Sequence, residues 1–380
     1  MTSRHAQRVE SKLRLLAGQA RFDIACACGL DPGRERGLDG RWIYPTVMPD
    51  GSRQMTLKVL MDNACTSDCS YCAQRAGRDT PRDRFRPEEL ARLLDELIRA
   101  GLVKALFLSS GLGSDAVRSM DRMLDTVAIV RRRYAFRGFV HLKVLPGAQR
   151  AQVEQAARLA QRLSVNLEAP NARRLRAISE RKALEPDILE RMGWIADAIR
   201  DRRLLAKGHT TQFVIGAADE TDAEIVTCTD RLYRDFDLGR AYYSKFQPVA
   251  GTPLEGRPPA PFMREHRLYQ VDFLLRKYGF ARDEIPFEPD GNLSLAVDPK
   301  TRWAQLRPGL FPVEVNRAER EVLLRTPGLG PVSVERILAA RCQGRIRSPA
   351  QLARLGVRVA HAAPYLLLDG RPAQRQLALL

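Results

Sequence analysis

Apolar residues recur along the chain with two different spacings. Short runs that alternate, or are almost wholly apolar, read as strands. They are residues 55–62 (MTLKVLMD), 105–111 (ALFLSSG), 139–145 (FVHLKVL), 162–170 (RLSVNLEAP), 210–216 (TTQFVIG) and 241–249 (AYYSKFQPV). Longer segments between them carry helical punctuation. The segment 86–101 has Pro87 near its start and Gly101 at its stop, and 119–134 (SMDRMLDTVAIVRRRY) follows the second strand. Strand-then-helix units in regular succession predict an α/β fold with a parallel sheet. Six strands are too few to close an eight-stranded barrel and suit an open, partial (β/α)6 one.

Two strands carry polar residues at every second position. Ser164, Asn166 and Glu168 alternate with Val165 and Leu167, and His141 and Lys143 alternate with Leu142 and Val144. Successive strand side chains point to opposite faces, so the polar set is expected inside the barrel and the apolar set against the helices. Parallel strands are usually apolar on both faces, which makes this interior polarity informative. For His141 a satisfied core histidine is an equal reading. The pattern divides the chain into an N-terminal cap (1–54), an α/β core (55–250), a proline-rich connector packed on the core (251–315) and a small all-α C-terminal module (316–380). There is no internal repeat and no low-complexity tract.

Hydrophobic residues make up 44% of 380, enough for a well-buried core. No apolar run reaches the roughly 18 residues needed to span a bilayer, and the N-terminus lacks the apolar centre of a secretion signal. A cytoplasmic protein with no membrane partner is expected, which favours metal or redox roles for clustered thiols over disulfides. The formal net charge is +17 with a pI near 10.0, a surface that attracts polyanions. Arginine supplies 53 of the 62 basic residues, a bias that codon composition also produces, so charge alone supports nucleic-acid binding only weakly.

Among seven cysteines, Cys65, Cys69 and Cys72 form a C-x3-C-x2-C array. A structural zinc wants four protein ligands, and no fourth Cys or His is near in sequence, although Cys26 and Cys28 could bring a distant thiolate. An iron–sulfur cluster can use three cysteines and offer its remaining iron to a small molecule. The array directly follows the first predicted strand, on the rim where parallel α/β barrels place their chemistry. An aromatic residue, Tyr71, precedes the last cysteine.

With this motif at this position, the chain resembles the radical S-adenosylmethionine (radical SAM) superfamily over roughly residues 55–250. The resemblance implies a [4Fe-4S] cluster on Cys65, Cys69 and Cys72 whose open iron binds S-adenosyl-L-methionine. Reductive cleavage then yields methionine and a 5′-deoxyadenosyl radical that takes hydrogen from a substrate. It implies an electron donor such as flavodoxin or ferredoxin, and further cofactor contacts. Tyr71 would stack on adenine. Ser109, Ser110 and Gly111 stand where the family has a Gly-Gly-Glu-like turn for the methionine ammonium, here without the acid. Asn166 and Glu168 match the ribose-binding position, and Lys143 would meet the cofactor's carboxylate or a substrate phosphate. Val214 and Gly216 match an adenine-flanking element that here lacks its first glycine, and Phe246 and Pro248 would cover the adenine. The substrate-directed catalytic residue is not legible.

Arg75, Arg78, Arg82, Arg84 and Arg86 lie between Cys72 and the first core helix. They read as a solvated loop paired with Asp79, Asp83 and Glu88, or as phosphate contacts; Arg173, Arg174 and Arg176 form a second candidate patch. Residues 319–346 read as two helices around Pro327-Gly328-Leu329-Gly330-Pro331 and resemble a helix-hairpin-helix, with "SPAQLARLGV" beginning a second hairpin capped by Ser348. Pro327, Gly328, Leu329, Gly330, Ser333 and Arg336 are the expected DNA contacts, through backbone amides at a helix start. Residues 317–380 hold 11 Arg against 4 acidic residues, which suits non-sequence-specific duplex binding. A plain αα-hairpin packed on the barrel is the alternative. Barrel and tail together resemble the radical SAM proteins ascribed to DNA modification or repair, as does "ARFDIACACG". The expected function is radical chemistry on DNA. The alternatives are the same chemistry on RNA, and a non-catalytic DNA-binding protein with a structural metal cluster.

Overall fold

The computed structural model describes residues 3–20, 43–47 and 52–373, so Cys26 and Cys28 lie outside the described residues. Two compact units result. One is built from the described residues up to 220 together with 231–261, the other from 221–230 and those from 262 onward.

In the first unit, helix α1 (Ser3–Gln19) buries Val9, Leu13, Leu16 and Ala17 along one face. Strand β1 (Ile43–Val47) pairs antiparallel with β2 (Arg53–Leu60), Ile43 opposite Leu57. Then come α2 (Pro87–Arg99), β3 (Ala105–Ser109), α3 (Ala116–Arg132), β4 (Phe139–Lys143), α4 (Arg150–Leu159) and β5 (Arg162–Ser164). Helices α5 (Ala172–Ile178) and α6 (Glu190–Arg200) lead to β6 (Gly208–Ile215), and β7 (Arg240–Lys245) follows α7 (Asp222–Asp235), whose residues 222–230 belong to the second unit. The sheet runs β1 to β7 in sequence order, with β2 to β7 all parallel. The six expected parallel strands are present in one open sheet. Leu57, Val59, Leu106, Leu108, Val140 and Leu142 are fully buried on its helix-facing side, the apolar half of the alternation read from sequence.

Two differences stand out. Part of the segment read as a cap is the edge strand β1, whose Pro45 breaks the usual strand signal but is tolerated at an edge. The fourth parallel strand is also shorter than expected. Its ladder ends at Ser164, and beyond it only Glu168, at φ +68°, pairs again, in a single parallel bridge to Phe213.

The second unit contains α8 (Phe262–Lys277), α9 (Pro299–Gln305), β8 (Val313–Glu314), α10 (Arg320–Arg325), α11 (Pro331–Gln343), α12 (Pro349–Arg354), α13 (Val359–Ala362), β9 (Leu366–Leu368) and β10 (Arg371–Pro372). The tail is therefore not all-α: β8, β9 and β10 form a three-stranded sheet, in strands too short to leave a period in the sequence. Leu323, Leu324, Leu329, Val334, Ile337, Leu352 and Leu366 share its core. The two helices around Pro327–Pro331 are present, and Ser348 caps α12 by accepting from the Gln351 amide. Gly328, at φ +78°, approaches α13 so closely that a Cβ there would lie 2.7 Å from Ala362 Cβ. A second turn at Gly356, φ +85°, meets Arg336 of α11, whose guanidinium donates to the Leu355 carbonyl at 3.5 Å. Each turn thus faces the closing helix of the other hairpin.

Candidate active site

The cysteine loop leaves the C-terminal end of β2 and is fastened before it reaches its first thiol. The Gly111 amide donates to the Asp62 carbonyl at 2.7 Å, the Gly113 amide to Ala64 at 2.9 Å, and Ser110 Oγ to Asp62 at 3.4 Å. Asn63, fully buried, donates from Nδ2 to Gln19 Oε1 and Pro81 O, each at 2.8 Å, and accepts from the Asp83 amide. Arg82 donates to the carbonyls of Asn63, Gln74, Arg75 and Arg78, and Arg78 to those of Ala73 and Ala250. Arg78 and Arg82 therefore direct their guanidinium donors to backbone carbonyls and hold the loop's shape. The Leu254 amide donates to Ser70 O, so the "GTPLE" segment latches the same loop.

Within this frame the three thiols are near enough that Cys69 and Cys65 act on Cys72 by charge. The Ser67 amide lies 3.4 Å from Cys65 Sγ, Ser67 Oγ 3.3 Å from Cys69 Sγ, and the Gln74 amide 3.4 Å from Cys72 Sγ. Burial, followed by the nearby Cys69, pushes the Cys72 thiol up to about 12 against the Gln74 amide. Ionising these sulfurs together is costly without a positively charged core, and metal binding supplies one. Among the described residues no three His, Cys, Asp or Glu side chains surround a point that one ion could occupy. A cubane instead offers a separate iron to each thiolate, so its ligands surround a body rather than a point. Ser70 Oγ and Arg75 Nε on the loop are buried with no partner among the described residues, donors suited to a sulfur-rich anion. The residues present fit a three-cysteine cluster.

Glu168 and Lys182 stand beside the thiols. Lys182 Nζ lies 3.6 Å from Glu168 Oε1 and is close enough to Cys69 and Cys65 for their charge to act on it. Burial would discharge this ammonium, but Cys69 and Glu168 hold its affinity for the proton above the ordinary lysine value. Burial, followed by the nearby Glu168 carboxylate, raises the Tyr71 phenol well above its usual range. The loop carrying Lys182 is attached to the cysteine loop: Ser179 Oγ and the Glu180 and Arg181 amides donate to the Asp68 carboxylate, and Arg181 Nη1 donates to Thr66 O. Burial opposes these bonds, yet they hold Asp68 below its ordinary range. Sequence reading passed over Asn63, Asp68 and Lys182. The segment 179–183 lies more than a hundred residues from the cysteines and has no motif, so no spacing signals it.

The other expected contacts occupy the same rim or the interior below it. Ser109 is buried at the end of β3. Lys143 Nζ donates to Asn166 Oδ1 at 2.6 Å. His141 pairs with Ser164 Oγ at 2.8 Å, and burial, then Arg162 and Lys143, drives its pKa well below the histidine norm. The Val214 amide donates to Glu168 O. The Gly216 amide, at φ +88°, donates to the Glu220 carboxylate at 2.5 Å, so this acid fastens the turn after β6. Phe246 is fully buried after β7, and Pro248 is exposed. In the tail the expected DNA contacts divide. Pro327, Leu329 and Ser333 are buried, the Gly330 amide is taken by Ser333 Oγ at 2.8 Å, and Arg336 is exposed. Among the described residues no helix is long and apolar enough to cross a membrane.

The threonylcarbamoyladenosine tRNA methylthiotransferase of Thermotoga maritima is 23% identical, over 60% of this chain and 52% of that protein. The chain therefore spans about half the length of the curated relative it matches. Among solved structures, methylornithine synthase aligns with a TM-score of 0.48 at 14% identity, covering 72% of this chain and 69% of that one. A radical SAM methyltransferase from Sphaerobacter thermophilus aligns at 0.46 and 16% identity, covering 62% and 68%. The family model of the Radical SAM superfamily matches residues 59–232, the stretch from the end of β2 into α7 that carries all three cysteines and the Glu168–Lys182 pair. Residues 59–232 are a radical SAM domain, of the enzyme superfamily that uses a [4Fe-4S] cluster and S-adenosylmethionine.

Proposed function

We propose that the chain is a radical SAM enzyme acting on a nucleic acid, with Cys65, Cys69 and Cys72 as cluster ligands and the paired hairpins of the second unit holding the substrate backbone. The observation that carries the enzymatic half is that the three thiols share one braced loop at the C-terminal end of β2, close enough for Cys69 and Cys65 to act on Cys72 by charge. The cluster would supply reductive cleavage of S-adenosylmethionine. The protein's own groups do the rest: Arg78 and Arg82 keep the loop in one shape, and Tyr71, Glu168, Asn166 and Lys143 present hydrogen-bonding groups on the same rim. Ser109, Ser110, Gly111, Val214, Gly216, Phe246 and Pro248 complete the proposed cofactor surround.

DNA is the favoured substrate because two short hairpins with glycine turns carry a surplus of arginine, including the exposed Arg336, Arg347, Arg354 and Arg358. RNA is the second reading, favoured by the relative that acts on tRNA. An electron donor of the flavodoxin or ferredoxin type is part of the proposal. Reduced, cluster-reconstituted protein is expected to convert S-adenosylmethionine to 5′-deoxyadenosine, and a variant with all three cysteines replaced by alanine is expected not to. Equal product from both proteins sinks the enzymatic reading and leaves a DNA-binding protein with a structural cluster. Incubation with deuterated DNA and RNA in parallel, followed by mass spectrometry of nucleosides, then separates the substrates. Deuterium appearing in the 5′-deoxyadenosine formed from S-adenosylmethionine, with one polymer alone, identifies it.

A further inference from the structure

We propose that Lys182 is a positioning residue that sets the charge beside the cysteine loop, and with it how readily a cluster held there accepts an electron. This rests on the cluster reading above. Lys182 Nζ is paired with Glu168 at 3.6 Å, with side-chain exposures of only 11% and 8% for the two residues, and the charge of Cys69 acts on it. A buried ion pair from the segment after β5 thus stands close to the cysteine loop, about a hundred residues earlier in the chain.

Neither group is free to drift. Glu168 is held by its own amide donating to Gln212 O and its carbonyl accepting from the Val214 amide, both at 2.9 Å. The segment before Lys182 is tied to Asp68 and Thr66, residues of the cysteine loop itself, through the Ser179 hydroxyl, two amides and the Arg181 guanidinium. The segment that carries the lysine is therefore tied to the loop that carries the cysteines. Cluster potentials respond to local net charge and to hydrogen bonds on the ligating sulfurs. Reduction adds one negative charge, taken from a low-potential flavin or iron–sulfur protein, and no bond at Lys182 forms or breaks. A buried ammonium favours the reduced state and a buried carboxylate opposes it.

The test uses cluster-loaded full-length protein, dithionite as reductant and electron paramagnetic resonance to follow reduction. Lys182→Met is expected to have a more negative midpoint than the wild type, Glu168→Gln a more positive one, and Lys182→Arg a value near the wild type. Opposite shifts from two neighbouring substitutions are not produced by general loosening of the site. Iron and sulfide are assayed on the same samples. If Lys182→Met does not load, Glu168→Gln and Lys182→Arg still carry the comparison. An unchanged midpoint in loaded Lys182→Met, or shifts of the same sign from both substitutions, overturns the inference. Wild-type protein that takes up no iron or sulfide overturns the cluster reading and this inference together, a result recognisable before any titration.

Discussion

At the scale of single residues, glycine explains what the rim motif does. The sequence offered Ser109-Ser110-Gly111 as a hydrogen-bonding turn for a cofactor, and the structure adds a reason for the glycine that no motif contains. A Cβ at position 111 would lie 2.2 Å from Ala64 O and 3.0 Å from Ala64 C, both backbone atoms of the cysteine loop. Gly111→Ala must therefore push the turn away and weaken the amide bond to Asp62, at a cost of about 1–3 kcal/mol. Denaturant unfolding should show that loss together with reduced iron content after reconstitution. Gly256→Ala, where nothing lies within 4 Å of the added Cβ, should change neither. The three thiols were legible because their ligand spacing is local. Lys182 and Asp68 were not, because each acquires its partner only when segments far apart in sequence fold against one another. The arginines after Cys72 show the same limit: their charge suggested ions as partners, whereas Arg78 and Arg82 bind carbonyls that only the folded loop brings together.

At the scale of elements, long periodic segments were readable and short ones were not. Parallel strands β2, β3, β4, β6 and β7 and their helices follow from apolar spacing. Strand β1 is hidden by Pro45, and β8 to β10 have two or three residues each. The hairpins required a revised view of their glycines. Gly328 serves the close approach of α13, so enlarging it would disturb the pairing of the hairpins and not only a phosphate site. Arginine removal is the cleaner test. Arg354→Ala/Arg358→Ala, at exposed positions on and just after α12, is expected to leave circular dichroism unchanged. It should weaken duplex binding and make the slope of log K against log salt shallower by about 0.9 for each phosphate that is no longer neutralised. An unaltered slope in the folded variant would remove this face from the proposed interface.

At the scale of the whole chain, buried bases make the two units respond to pH in separate windows. In the first unit His209 is buried, its ring Nδ1 is 3.2 Å from Phe236 O, and burial lowers its pKa to about 4. Below the ordinary histidine value of 6.5 the unfolded chain binds a proton that the folded unit refuses, so stability falls as pH drops from there towards 4. His141 is shifted in the same direction by its burial and adds to the loss. In the second unit Lys300 is buried over the Tyr278 ring, with Nζ donating to Leu329 O at 2.5 Å, and burial lowers it to about 7. Between pH 7 and the ordinary lysine value of 10.5 the unfolded chain keeps a proton that the folded unit has released, so stability rises with pH over that window. A tenfold change in proton affinity corresponds to about 1.4 kcal/mol, which makes both effects a few kcal/mol. Peptide-resolved hydrogen exchange, corrected for the intrinsic pH dependence of exchange, reads the units separately. Protection in β6 should fall on acidification from pH 6.5 to 5, and protection in α10 and α11 should rise between pH 7 and 9. Lys300→Met should flatten the second response and leave the first intact, since the methionine keeps the buried volume and carries no proton to release.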